Sequence, residues 1–324
     1  MTGTIPPKGC YCVLGASGLA GSHALKALCD VPGVEVRAVC HSRPPRIAGK
    51  NIQVFQADLS VPYPCPEAFE GADYALIFAG VLSTSPVLAS DPVSPVLANL
   101  RIAVNCLEAA YRAGVAKCVW LSSTTGYPAG DETHSEDRMF HGDPPGNWYA
   151  LGWMTRYVET VCRAFSERFP RKMPVIALRP TMMYGEFDHF DEETAHFLPS
   201  LVRRVVNRER PIEVWGTGEQ TRDLIYAGDV VDAAFAAVEK LDRHAAFNVA
   251  SGKSHSVNEI LRMVLELDQY SDSQVVRRAD KPTSISQCSF SNTKAMVEID
   301  FKPSISISEG LRKTIEWYRN DVVT

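Results

Sequence analysis

Short apolar runs alternate with stretches of helical spacing through the first 180 residues of the chain. Cys10–Leu14 is an apolar run that ends in glycines, and Leu19–Cys29 then repeats its apolar positions with a helical period. Val34–Cys40, Ile52–Phe55 and Tyr74–Phe78 read as the second, third and fourth strands. Val93–Ala113 predicts a long helix with Gly114 as its C-cap, and Lys117–Ser122 a fifth strand. Trp148–Phe169 predicts a second long helix closed by Pro170, and Val175–Leu178 a sixth strand. Strands separated by helices imply right-handed crossovers and a parallel sheet covered on both faces, which is the doubly wound α/β class.

The rhythm changes after Arg179-Pro180. Residues 181–226 mix loop, helix and a short strand, and residues 255–324 are irregular before a closing helix at Glu309–Arg319. The expectation is a sheet domain over residues 1–180, completed by about 227–254, with a smaller mixed α/β lobe over 181–324. That lobe would lie over the carboxyl edge of the sheet, where ligands bind in such folds.

Composition narrows the function classes. With 324 residues, 45% hydrophobic and 22% charged, the chain has the make-up of a globular protein. A net charge of -5 argues against a nucleic-acid surface, which needs a concentrated basic face. No stretch approaches the ~18–20 uninterrupted apolar residues of a membrane span, so no membrane partner is expected. The first eight residues hold two prolines and no apolar core, so no secretory leader is expected there. Nine scattered cysteines without a Cys-x-x-Cys pair point to a reduced, cytoplasmic compartment, and no His, Cys and carboxylate spacing predicts a metal site.

The first strand runs into Gly15, Ser17, Gly18, Leu19 and Gly21, a glycine triad that opens the first helix. Glycines there permit a tight turn and let the backbone approach a pyrophosphate seated on the helix N-terminus. The end of the second strand then selects the cofactor, because a carboxylate would hold an adenosine ribose and favour NAD. The chain instead reads His41, Ser42, Arg43, with a guanidinium suited to a 2′-phosphate. NADP is the reading, with NAD as the alternative.

With these residues in hand, almost the whole chain resembles the extended short-chain dehydrogenase/reductases, in particular the nucleotide-sugar epimerase/dehydratase family, whose fold is of the Rossmann type. Asp58 and Leu59 match its adenine-contacting pair, and Ala79 and Gly80 lie where its fourth strand meets the cofactor. Leu121 to Pro128 matches the serine segment; counting back from Tyr127 puts Ser123 at the catalytic hydroxyl and Ser122 beside the cofactor. Leu178 to Gly185 matches the segment flanking the nicotinamide, with Pro180 and Met183 toward the cofactor and Met182 toward substrate. Trp215, Gln220 and Arg222 fall in the nucleotide-binding segment, where the arginine meets the substrate diphosphate.

Tyr149 and Trp153 resemble the family's Tyr-x-x-x-Lys pair with the lysine replaced. A tyrosine hydroxyl titrates near pH 10 and needs a nearby cation to serve at neutral pH. Arg156 is the nearest cation, about 10.5 Å farther along the helix axis than Tyr149. The segment Tyr184 to Pro199 and the start Trp215-Gly216 are similar to the branch that epimerises and reduces GDP-4-keto-6-deoxy sugars. That branch adds a cysteine and a histidine. Thr125 stands at the cysteine, and the histidine falls in the stretch holding Asp188, His189, Asp191 and His196.

The resemblance implies an NADP-dependent epimerase, dehydratase or reductase acting on a GDP- or UDP-linked sugar. Ser123, Thr125, Tyr149 and Trp153 are the catalytic candidates, and His189 joins the substrate set. It also implies a homodimer through the helices at about 93–113 and 148–168. A second reading stays open, in which the chain holds NADP and a sugar nucleotide as a sensor or assembly partner without turnover.

Overall fold

The computed structural model describes residues 4–81, 85–130, 132–279 and 289–323. Its centre is a seven-stranded sheet, and every neighbouring pair in it is parallel. β1 (Gly9–Leu14), α1 (Leu19–Leu28), β2 (Val34–Cys40) and β3 (Ile52–Gln56) open the chain. The short α2 (Pro66–Phe69), β4 (Tyr74–Ile77), the short α3 (Ser85–Ser90) and α4 (Ser94–Arg112) follow. β5 (Lys117–Leu121), α5 (Tyr149–Glu167) and β6 (Val175–Pro180) complete the first run.

The remaining elements are β7 (Met182–Tyr184), α6 (Phe197–Val206), β8 (Ile212–Trp215), β9 (Thr221–Tyr226) and α7 (Ala227–Lys240). Then come β10 (Ala245–Val249), β11 (Ser254–Ser256), α8 (Val257–Leu267), β12 (Val275–Arg278), α9 (Thr293–Glu298) and α10 (Ile307–Asp321). The order across the large sheet is β10-β6-β5-β4-β1-β2-β3. It reverses between β1 and β4, and that switch point opens a crevice at the carboxyl ends of the strands.

The central strands β1 and β4 are apolar and buried on both faces, whereas β3 at the sheet edge is largely exposed. In β1, Tyr11 and Val13 face a core shared with α1 and α7, through Leu25, Leu28, Val230 and Phe235. Cys10, Cys12 and Leu14 face the opposite core, shared with α4 and α5 through Ile102, Cys106, Val158 and Cys162. Burial pushes the thiols of Cys12, Cys106, Cys118 and Cys162 up, so they pack as small hydrophobes. Cys288 lies outside the described residues; the other eight cysteines are free thiols.

A third core joins α6, α8 and α10 with Leu224, Val214 and Tyr184 beyond the sheet's carboxyl edge. Two small sheets, β11-β9-β7 and β12-β8, belong to this region. Within the stretch 227–254, α7 lies on the large sheet and β10 forms its edge, with Ala245 opposite Ile176 and Val249 opposite Pro180.

Candidate active site

The loop between β1 and α1 is shaped by close backbone approaches. Gly15 holds φ +85°, and a Cβ there would sit 2.7 Å from the Ala79 backbone. A Cβ on Gly21 would meet the Gly15 carbonyl at 2.1 Å. Gly18 N–H closes on the Gly15 carbonyl at 3.0 Å, and Ser22 N–H on the Gly18 carbonyl at 2.8 Å. The turn therefore brings Gly15 against Ala79 at the switch point and leaves the first amides of α1 facing the crevice. Ser17, Gly18 and Leu19 line that helix start. Gly80 is next to Asn99, whose side chain brackets Val81 through its amide and carbonyl at 2.8 and 3.1 Å.

His41, Ser42 and Arg43 follow β2 as exposed residues. Asp58 accepts the Ser60 hydroxyl and amide at 2.7 and 2.8 Å, and these bonds hold its carboxyl below the usual range. Leu59 is buried in the core under α4.

The serine segment stands on a buried polar network. Ser122 Oγ donates to Glu159 Oε1 at 2.6 Å, and Glu159 forms a buried ion pair with Arg179 at 2.6 Å. Arg179 donates to the Tyr127 hydroxyl at 2.7 Å, which donates to Asn248 Oδ1 at 2.6 Å. One step along, Ser123 Oγ accepts the Thr125 amide at 3.1 Å and the Thr125 hydroxyl at 3.0 Å.

α5 carries a buried stripe and, beside it, a half-exposed aromatic one. Leu151, Thr155, Val158, Glu159, Cys162 and Phe165 are buried. Tyr149, Trp153 and Tyr157 are 51%, 42% and 57% exposed. Tyr149 precedes Gly152 by three positions, about one turn, and a Cβ on Gly152 would lie 2.6 Å from the Thr125 carbonyl. The Tyr149 and Trp153 rings meet edge-on at 6.5 Å. The indole also lies 4.6 Å from the Arg156 guanidinium, a cation–π contact. Arg156 is buried and donates to the carbonyls of Gly126, Gly142 and His141 at 2.8, 2.7 and 3.3 Å. It thus clamps the serine segment to the loop before α5, and its charge is spent on carbonyls and the Trp153 ring.

Across the crevice, Met182 and Met183 pair with Leu224 and Ile225, which extends β7 along β9 directly after Pro180. Asp223 gathers Thr181 Oγ1, Ser251 Oγ and the Gly252 amide at 3.1, 2.8 and 3.1 Å. Trp215 ends β8 half-exposed, and Gln220 donates to its carbonyl at 2.8 Å. Arg222 lies in β9 opposite His255, and its guanidinium reaches the Thr221 carbonyl at 2.6 Å. His189 Nε2 lies 2.7 Å from Thr194 Oγ1, and Asp188 accepts the His189 amide at 2.8 Å. Burial pushes the Asp188 carboxyl up to about 7 and lowers His189. His196 caps α6 as an exposed residue.

The structure thus brings the glycine loop to Ala79 and Ser123 to Thr125, and it leaves Tyr149 and Trp153 half-exposed at the start of α5, one turn before and beside Gly152, which packs on the Thr125 carbonyl. Sequence reasoning passed over the buried ion pair of Glu159 and Arg179. Leu151, Val158, Cys162 and Phe165 form the apolar stripe that packs α5 on the sheet. Among the described residues no group of His, Cys, Asp and Glu could hold a metal ion, and no helix is long and apolar enough to cross a membrane.

A doubly wound sheet with a glycine turn at its switch point and a polar crevice beyond it defines a dinucleotide-dependent class of protein. The chain belongs to the NAD dependent epimerase/dehydratase family, whose model matches residues 11–250. It is 29% identical to GDP-L-fucose synthase 1 of Arabidopsis thaliana, over 69% of this chain and 70% of that protein. It is 25% identical to the GDP-L-colitose synthase of Yersinia pseudotuberculosis, over 75% and 80% of the two chains. Among solved structures it is similar to MoeE5 in complex with UDP-glucuronic acid and NAD, with TM-score 0.79 and 27% identity, covering 96% of this chain and 99% of that one.

Proposed function

We propose that this protein binds NADP in the β1–α1 crevice and a GDP-linked sugar beside it, and acts on that sugar as an epimerase or reductase. The observation that carries the reading is the Gly15–Gly21 turn packed on Ala79 at the switch point, since that backbone leaves room for a pyrophosphate on α1. His41, Ser42 and Arg43 favour the 2′-phosphate, because the strand end holds no carboxylate. The GDP-linked relatives support the nucleotide, with Trp215, Gln220 and Arg222 as its expected ligands. A bound dinucleotide would supply hydride exchange. Ser123 would hold the sugar oxygen, with Thr125 fixing the orientation of its hydroxyl.

Calorimetric titration with NADPH and NADH, followed by GDP- and UDP-sugars with products read by mass spectrometry, tests this reading. NADPH binding tighter than NADH and a GDP-sugar converted in its presence are expected. A chain that binds neither dinucleotide refutes it. Binding without conversion would select the second reading, a sensor or assembly partner, whose support is Trp153 at the position of the family's lysine. A homodimer through α4 and α5 belongs to the same proposal, and light scattering reads it directly.

A further inference from the structure

Loop 185–196, which joins β7 to α6, is packed against the segment after β2 through one aromatic anchor. Phe187 meets the His23 ring of α1 edge-on at 5.5 Å and the Trp317 indole of α10 at 5.5 Å. Phe190 lies 5.8 Å from the same indole. Arg46 places its guanidinium 5.1 Å from that ring, a cation–π contact. Residues 187–190 and Arg46 therefore meet on Trp317. Arg43 stands three positions before Arg46, with Pro44 and Pro45 locking φ between them.

The His189 ring is held in one orientation within this loop. Thr194 Oγ1 donates its single proton to Asp191 Oδ1 at 2.7 Å, so the His189 Nε2–H donates to Thr194 at 2.7 Å. That tautomer leaves the Nδ1 lone pair for a ligand. Burial lowers the His189 pKa, Asp191 raises it and the Arg43 guanidinium lowers it again. The charged and titratable groups facing this stretch are Asp188, Asp191, His196, Arg43, Arg46 and Lys26. Lys26 is paired with Glu186 at 3.2 Å and Arg46 lies on Trp317, which among the described residues leaves Arg43 as the uncommitted cation beside His189.

We infer that His189 is a second ligand of the adenosine 2′-phosphate, holding it against Arg43 from the side of the β7–α6 loop. An anion between the two neutralises the guanidinium, so the ring takes up a proton and Nδ1 donates to a phosphate oxygen. Asp191, linked through Thr194, steadies the imidazolium from behind. NADH carries a hydroxyl in place of the phosphate and gives neither group a charge to hold. The pair therefore selects the cofactor, with one ligand from the end of β2 and one from the loop across it. The inference rests on the reading that NADP binds in the β1–α1 crevice, and it moves His189 from the sugar to the cofactor.

The test is calorimetric titration of NADPH, NADH and GDP into the full chain and two variants, with circular dichroism as the check on folding. His189→Gln should weaken NADPH about five- to tenfold and leave NADH and GDP within about twofold. Thr194→Val frees the ring without removing it, so it serves where His189→Gln does not fold. It should weaken NADPH about threefold and spare NADH and GDP. The inference is overturned if His189→Gln leaves NADPH unchanged, weakens both dinucleotides alike, or weakens GDP instead. Wild-type protein that binds no dinucleotide, or holds NADH as tightly as NADPH, would instead remove the cofactor reading and this inference with it.

Discussion

The glycine turn after β1 and the start of α5 are both places where a short motif meets a helix, yet the two motifs constrain different things. The glycine motif is a backbone property. Gly15 and Gly21 are required because any Cβ would collide with Ala79 or with the Gly15 carbonyl, so residue type and geometry are one fact. The tyrosine motif is a side-chain property. Its meaning depends on the phase of the helix, and the same spacing of four can sit on any face. On α5 that phase is set elsewhere, by the apolar stripe and by Glu159.

The largest effect expected from breaking this comparison lies in the loop. Gly21→Val forces a side chain to within 2.1 Å of the Gly15 carbonyl, a backbone neighbour that cannot turn aside. NADPH binding should fall by more than about a hundredfold, a loss of at least ~2.7 kcal/mol by calorimetric titration. Retained affinity would show that the turn tolerates a rearrangement that the packing on Ala79 excludes.

On the α5 side the corresponding break is in stability, at the buried carboxylate of Glu159. Glu159→Ala leaves the Arg179 guanidinium buried without its carboxylate, a change that costs roughly 3–5 kcal/mol in comparable pairs. Denaturant unfolding measures it directly. Glu159→Leu combined with Arg179→Met should recover most of the loss, because a well-packed apolar pair replaces the ion pair without an orphaned charge. A double variant as unstable as the single one would mean that the wider network to Tyr127 and Asn248 depends on Arg179.

These effects also explain what the sequence could reveal. The alternation of strands and helices was legible because both sheet faces are buried, and a continuous apolar run such as Tyr74–Ile77 has no other stable place. The glycines of the first loop were legible too, since backbone demands leave marks in residue type. The hydrogen bond of Thr125 to Ser123 follows from chain proximity alone. The pairing of Ser122 with Glu159, 37 positions apart, left no local mark. Asp188 and Arg156 were equally opaque, because their character comes from burial and from carbonyls contributed by distant loops.

A smaller effect probes the cofactor flavour on the loop side. Arg43 is exposed at the end of β2, where a 2′-phosphate would lie. Arg43→Ser should weaken NADPH by about tenfold, ~1.4 kcal/mol, and leave NADH within twofold. Equal losses for both dinucleotides would place Arg43 outside the 2′-phosphate site.

The finest distinction uses protonation, where environment and not residue type sets behaviour on each side of the crevice. His23, on α1 behind the glycine loop, is pushed down to about 4 by burial. Its folded value lies below the unfolded one near 6.5, so its contribution is fully present above pH ~6.5 and is lost as pH falls through about 4. Asp188 runs the other way. Burial raises it to about 7, above the unfolded value of about 3.9, so its contribution is fully present below pH ~4 and is lost as pH rises through about 7. Asp188→Asn holds the site neutral at every pH. Relative to wild type, the variant's thermal midpoint should therefore climb between pH 5 and pH 8, by a few times the ~2–4 °C that one kcal/mol moves a domain of 150–250 residues. Calorimetric scans at both pH values measure the difference. A difference that does not change with pH would mean that Asp188 titrates in the folded chain as it does in the unfolded one, and that its apparent burial is opened to water.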